Sequence, residues 1–148
     1  IVYVANEWIT RVNDRLGVTP PANLYLESDF DEATSEMLLT VTIKFTTDVP
    51  VDTRLSIAIT ENDIVDAQET PAGVDSFYVH QHTLRDMITP PTGIPIDVST
   101  PAGRVIIKQL RYSIPEHWDA DHCEVVAFVH KNDGSKTVLQ TAKAYVED

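Results

Sequence analysis

A chain of 148 residues that is 43% hydrophobic has the size and composition of one ordinary folded domain with a real core. Its formal charge of −12 speaks against nucleic acid, which needs clustered Lys and Arg, and against docking on anionic lipid headgroups. No apolar run approaches the ~18–20 residues that span a bilayer, so direct membrane insertion is not expected.

Residues 4–16 read as an amphipathic helix, with Val4, Trp8, Val12 and Leu16 at four-residue spacing and Ile9 beside them. Gly17 and Pro20-Pro21 stop it. The chain opens on Ile1-Val2-Tyr3 without a starting methionine or signal peptide. A fragment or processed product is therefore expected, with residues 1–21 as the tail of a preceding domain and 22–148 as the domain proper.

Everything after Pro21 reads as β. Leu24 and Leu26 alternate briefly before an acidic loop at 27–36, which carries Glu27, Asp29, Asp31, Glu32 and Glu36 without a base. From Met37, Leu39, Val41, Ile43 and Phe45 alternate with Thr40, Thr42 and Lys44, the pattern of a half-buried antiparallel strand. Arg54–Thr60 repeats it, and Asp48–Asp52 suits a hairpin between the two. Residues 61–76 read as an acidic loop with Pro71 and Gly73; a strand over 77–88 follows, then a short one at Ile94–Val98 and another at Arg104–Ile114. Pro115–Asp121, with Trp118, is an irregular crossing within a third acidic segment at 116–124. Cys123–Lys131 and Thr137–Val146 form a hairpin around Asn132-Asp133-Gly134. About seven or eight short strands with Pro/Gly turns, and no helix between them, predict an all-β, immunoglobulin-like antiparallel sandwich behind one helix.

Three ordered stretches carry a resemblance: Ser56–Ile64 with Gln68, Tyr78–Arg85, and Glu124–Val129 followed by Val138–Ala142. Together they resemble the β-domain of the outer-membrane-protein-28-related family of Gram-negative envelope proteins. The likeness covers roughly residues 22–146. It implies an immunoglobulin-like β-domain joined to a thioredoxin-like domain, of which the front helix is the last element. It also implies a lipoprotein-associated, outer-membrane-associated place in the cell envelope, periplasmic or at the cell surface. Asp63 departs from the pattern, standing where a glycine is expected.

The candidate chemistry is thin. On one continuous strand, His80 and His82 would present both imidazoles to one side, as zinc or copper ligands need. A third ligand would have to come from His117, His122, His130 or Cys123; the ordinary alternative is two hydrogen-bonded histidines. Tyr78, His80, His82 and Arg85 are the candidate binding set on this segment. Arg85 and Asp86 face opposite sides of a strand and need separate partners. His122 and Cys123 point apart for the same reason, so Cys123 reads as a small core hydrophobe. Asp29, Asp31 and Asp121 are candidate calcium ligands with alternating acids nearby, although no EF-hand pattern is present. Trp8, Trp118 and the tyrosines suit a sugar platform or, more commonly, packing. Without a catalytic constellation, the expectation is a non-enzymatic module that binds a protein partner in the envelope or supports structure, with no obligate cofactor. A calcium-, zinc- or glycan-binding sandwich is the alternative.

Overall fold

Alternating apolar residues build two sheets whose inner faces meet. In the computed structural model, which describes residues 5–50, 52–96 and 100–147, the sequence runs from one helix, α1 (Ala5–Asn13), into ten strand segments. Strands β1 (Ala22–Asp31), β2 (Glu36–Phe45) and β8 (Val105–Ser113) form a three-stranded antiparallel sheet in the order β1-β2-β8. The second sheet has the order β10-β9-β3-β6, from β3 (Thr53–Glu61), β6 (Thr83–Met87), β9 (Cys123–Lys131) and β10 (Val138–Tyr145). The two-residue β7 (Ile94–Pro95) pairs with the start of β3. The remaining strands, β4 (Ile64–Thr70) and β5 (Gly73–His80), pair with each other.

The core lies between the sheets. Met37, Leu39, Val41, Ile43 and Phe45 of β2 face Leu55, Ile57 and Ile59 of β3 and Val125, Ala127 and Val129 of β9, all fully buried. Each such side chain contributes about 1.5–3 kcal/mol by leaving water, so this layer dominates the fold's stability. The all-β sandwich with an N-terminal helix is as the alternation requires.

Several boundaries differ from expectation. The acidic stretch 27–31 is the second half of β1, with Glu27, Asp29 and Asp31 on its exposed side and Leu26 and Phe30 against the core. The segment between β2 and β3 is no hairpin, because those strands pair in different sheets; it crosses from one layer to the other. Residues 61–76 are not a loop, but the end of β3, then β4 and the start of β5. The expected strand over 77–88 is two strands in two different sheets. Residues 97–98 of the expected strand at Ile94–Val98 fall outside the described residues. Helix α1 does not bury its apolar stripe on the sandwich: Trp8, Ile9, Val12 and Leu16 are all exposed.

Candidate functional site

Two loops meet where the β4–β5 hairpin leaves the sandwich, and most of the molecule's buried charge gathers below them. Asp63, between β3 and β4, has φ +58°, and His82, between β5 and β6, has φ +53°. A side chain rarely adopts this left-handed backbone, and Asp63 occupies it where the family resemblance leads one to expect glycine. These two kinks interrupt what would otherwise be one long ribbon, so that β3 and β6 stay in the sheet while β4 and β5 diverge from it. The neck is stitched by the His82 N–H donating to Asn62 Oδ1 (2.8 Å), the Asn62 N–H to the His122 carbonyl (3.0 Å), and Gln81 Nε2 to Asp63 Oδ1 (2.6 Å).

Below the neck, two acids on strand ends are buried and paired. Glu61 accepts Arg85 Nε at 2.7 Å and the Asp119 N–H at 3.3 Å. The Arg85 guanidinium lies 5.6 Å from the Trp118 ring centre, and Trp118 stacks on Tyr112 at 6.4 Å. Tyr112 donates its hydroxyl to Asp86 Oδ2 at 2.8 Å; burial, and then this bond, push the phenol up to about 12. Glu124 takes Lys143 Nζ at 2.7 Å and has His82 Nδ1 at 3.3 Å. Its carboxyl is held below the usual range, chiefly by the Lys143 hydrogen bond. The two acids thus tie β3 to β6 and the 115–119 crossing, and β9 to β10 and the neck. Neighbouring Cys123 is fully buried, and desolvation together with the Glu61 charge pushes its thiol up to about 11. It is a core residue with little thiolate character.

A second polar pair lies on the outer face of the same sheet. Ser56 Oγ and His130 Nε2 are 3.0 Å apart, and His130 Nδ1 is 3.2 Å from the Lys131 carbonyl. If Nδ1 carries the proton, Nε2 accepts the serine hydroxyl, the minimum arrangement for an activated serine. Ser56, however, is 1% exposed. The backbone of Gly93 presses on it, since a Cβ there would stand 2.9 Å from Ser56 Oγ. Arg54 Nη1, donating to the Gly93 carbonyl at 3.4 Å, ties the 90–93 turn to the sheet beside the pair.

The residues singled out in the sequence disperse. Tyr78 and His80 lie together on β5, ring centres 4.9 Å apart. His82 is not on their strand: it sits in the kink and turns toward Glu124, so the shared-face pair of imidazoles does not form. Arg85 is engaged with Glu61. Asp29 and Asp31 line a shallow cleft with Thr34, Glu36 and Arg111. Asp121 instead lies by Glu32 and Glu147, whose hydrogen bonds to the Glu147 carboxyl, Glu32's foremost, push it up to about 7. Among the described residues, no three His, Cys, Asp or Glu side chains are arranged to hold a metal ion. Sequence reading missed Glu61, Glu124 and Lys143. The available signal was an acid at the rim of an apolar strand, as in Cys123-Glu124-Val125, which must find a cation when buried.

The chain is an all-β sandwich with a salt-bridged neck from which the β4–β5 hairpin leaves. The family pattern described as Outer membrane protein Omp28 matches residues 6–148, and the chain belongs to that family. Among solved structures it is similar to a domain of the outer membrane lipoprotein Omp28 from Porphyromonas gingivalis, with 13% sequence identity and a TM-score of 0.57. The likeness covers 86% of this chain and 88% of that one, and at this identity it speaks to the fold. No curated protein matches the chain.

Proposed function

We propose that this chain is a non-enzymatic, immunoglobulin-like module of a Gram-negative envelope protein, associated with the outer membrane, that binds a protein partner. Membership of the Outer membrane protein Omp28 family supports the compartment. The observation that carries the role is the β4–β5 hairpin. Among the described residues it pairs with no other strand, and it displays Val65, Val74, Phe77 and Val79 to solvent, Phe77 at 80% exposure. Large apolar side chains clustered on a projecting element mark a surface that is covered in use. The main buried charges, by contrast, are committed to one another, Glu61 to Arg85 and Glu124 to Lys143.

The test is photo-crosslinking in whole cells of the source bacterium, with the crosslinker placed in turn at Phe77, Tyr25, Ile107 and Tyr145. Specific protein adducts from one or more of these positions are expected in the envelope fraction. No adduct from any position, or recovery of the protein in the cytoplasmic fraction, refutes the reading.

A further inference from the structure

The hairpin's chemistry constrains what covers it. Strand register places Val65, Phe77 and Val79 on one face, because Val65 pairs with Val79 and Phe77 lies two residues away. Ile64, Asp66, Tyr78 and His80 share the other face. A bulge in β5 opposite Ala67 shifts the register; Gln68, two residues from Asp66, and its partner Asp75 stay on the Tyr78 and His80 face, while Glu69 and its partner Val74 continue the Val65 face toward the tip. Asp63, Asp66, Glu69 and Asp75 give the hairpin four carboxylates, and no Lys or Arg occurs between Arg54 and Arg85. Of these, Glu69 stands on the apolar face, Asp66 and Asp75 on the opposite face and Asp63 at the neck, so the ribbon as a whole is anionic.

The open edges are poorly suited to accepting another strand. The Ala67 N–H is taken by Asp66 Oδ1 at 2.7 Å and the Phe77 N–H by Asp75 Oδ1 at 3.0 Å, so each strand has a donor closed off by its own side chain. That leaves the face. Two strands about 4.8 Å apart make a ribbon whose width, with side chains, matches a single helix of about 10 Å. An isolated two-stranded ribbon is marginal in water, but this one is anchored at the neck by Asn62, Asp63, Gln81 and His82 and so is preorganised to bind.

We infer that the Val65–Val74–Phe77–Val79 face docks an amphipathic helix of a partner protein, with Lys or Arg beside its apolar stripe. Phe77 is the anchor, and a flanking cation reaches Glu69 on this face, within the negative field of the ribbon's other acids. A second copy of the hairpin is a poor occupant, because it would set one anionic ribbon against another. This inference rests on the proposed role as a binding module and names the chemistry of the partner.

The test uses two 18-residue helical peptides with the same leucine stripe, one flanked by lysines and one by glutamates, titrated into the isotope-labelled protein and followed by backbone amide shifts. Shifts confined to residues 64–80 are expected with the lysine peptide alone. Affinity should fall as salt rises, at least tenfold with Phe77→Ser, and severalfold with Glu69→Gln. Phe77→Ser should leave the circular dichroism spectrum and unfolding midpoint unchanged, so its loss of binding is not a loss of fold. Three outcomes overturn the inference: equal binding of both peptides, shifts centred on the other acidic segments at 27–36 or 116–124, or unchanged binding by Phe77→Ser. Sedimentation showing a dimer abolished by Phe77→Ser would reassign the face to a second copy. Phe77-dependent binding to phosphatidylcholine vesicles would reassign it to lipid. If the peptides fail while cell adducts form at Tyr25, Ile107 or Tyr145, the module reading stands and only the hairpin assignment falls.

Discussion

Replacing Arg85 with alanine should be the most costly single change near the neck. The Glu61 side chain is 7% exposed and Arg85 is 27% exposed. Removing the guanidinium leaves a buried carboxylate with only the Asp119 N–H, at 3.3 Å, to compensate it. Breaking a buried pair from one side costs about 3–5 kcal/mol; because water reaches Arg85, the lower part of that range applies. Loss of the contact with Trp118 adds about 0.5–1 kcal/mol. The expected loss is therefore about 3–4 kcal/mol, a large share of a typical 5–15 kcal/mol of domain stability.

Urea unfolding followed by tryptophan fluorescence measures the loss, since Trp118 reports on the site while Trp8 is already 62% exposed. In a Glu61→Gln background the same substitution should cost only about 1 kcal/mol, a coupling of about 2–3 kcal/mol. A deficit below about 1 kcal/mol, or one equal in both backgrounds, would refute the argument.

Cys123, fully buried with its thiol at about 11, should resist a thiol reagent at pH 8 until urea unfolds the protein; rapid labelling of the native state would contradict this. Glu147, held up to about 7 by Glu32 and Asp121, favours the fold while protonated, so thermal midpoints should fall between pH 5 and 8 and Glu147→Gln should flatten that decline. Gly93→Ala should cost about 1–3 kcal/mol in urea, because φ is +73° and the new Cβ would lie 2.9 Å from both Arg54 Cβ and Ser56 Oγ. The two phenylalanines should separate cleanly in the same assay: Phe45→Ala, fully buried, loses about 3–5 kcal/mol, while Phe77→Ser, largely solvated, changes stability by no more than about 0.5.

What the sequence disclosed, and what it hid, follows from burial. Strands β2, β3 and β9 were legible because one face or both meet the core, which writes itself as Leu39-Val41-Ile43 or Val125-Val126-Ala127. The second half of β1 was hidden because its outer face is acidic, and Glu27, Asp29 and Asp31 resemble a loop unless their spacing of two is noticed. The β4–β5 hairpin was hidden more completely. Neither face is buried, so no alternation is imposed, and its exposed valines and aromatics are interleaved with acids. The break between His80 and His82 carries neither Gly nor Pro; it is made by a left-handed histidine whose conformation is held by Asn62 and Glu124, residues distant in sequence. That is why period-two reasoning put both imidazoles on one face. The same failure locates the interesting surface. Where the chain departs from local rules, at Asp63 and His82, the neck is stitched by side chains, and what those stitches hold out into solvent is a ribbon with no core of its own. A fold gains nothing from ordering such a ribbon unless its apolar face is buried elsewhere.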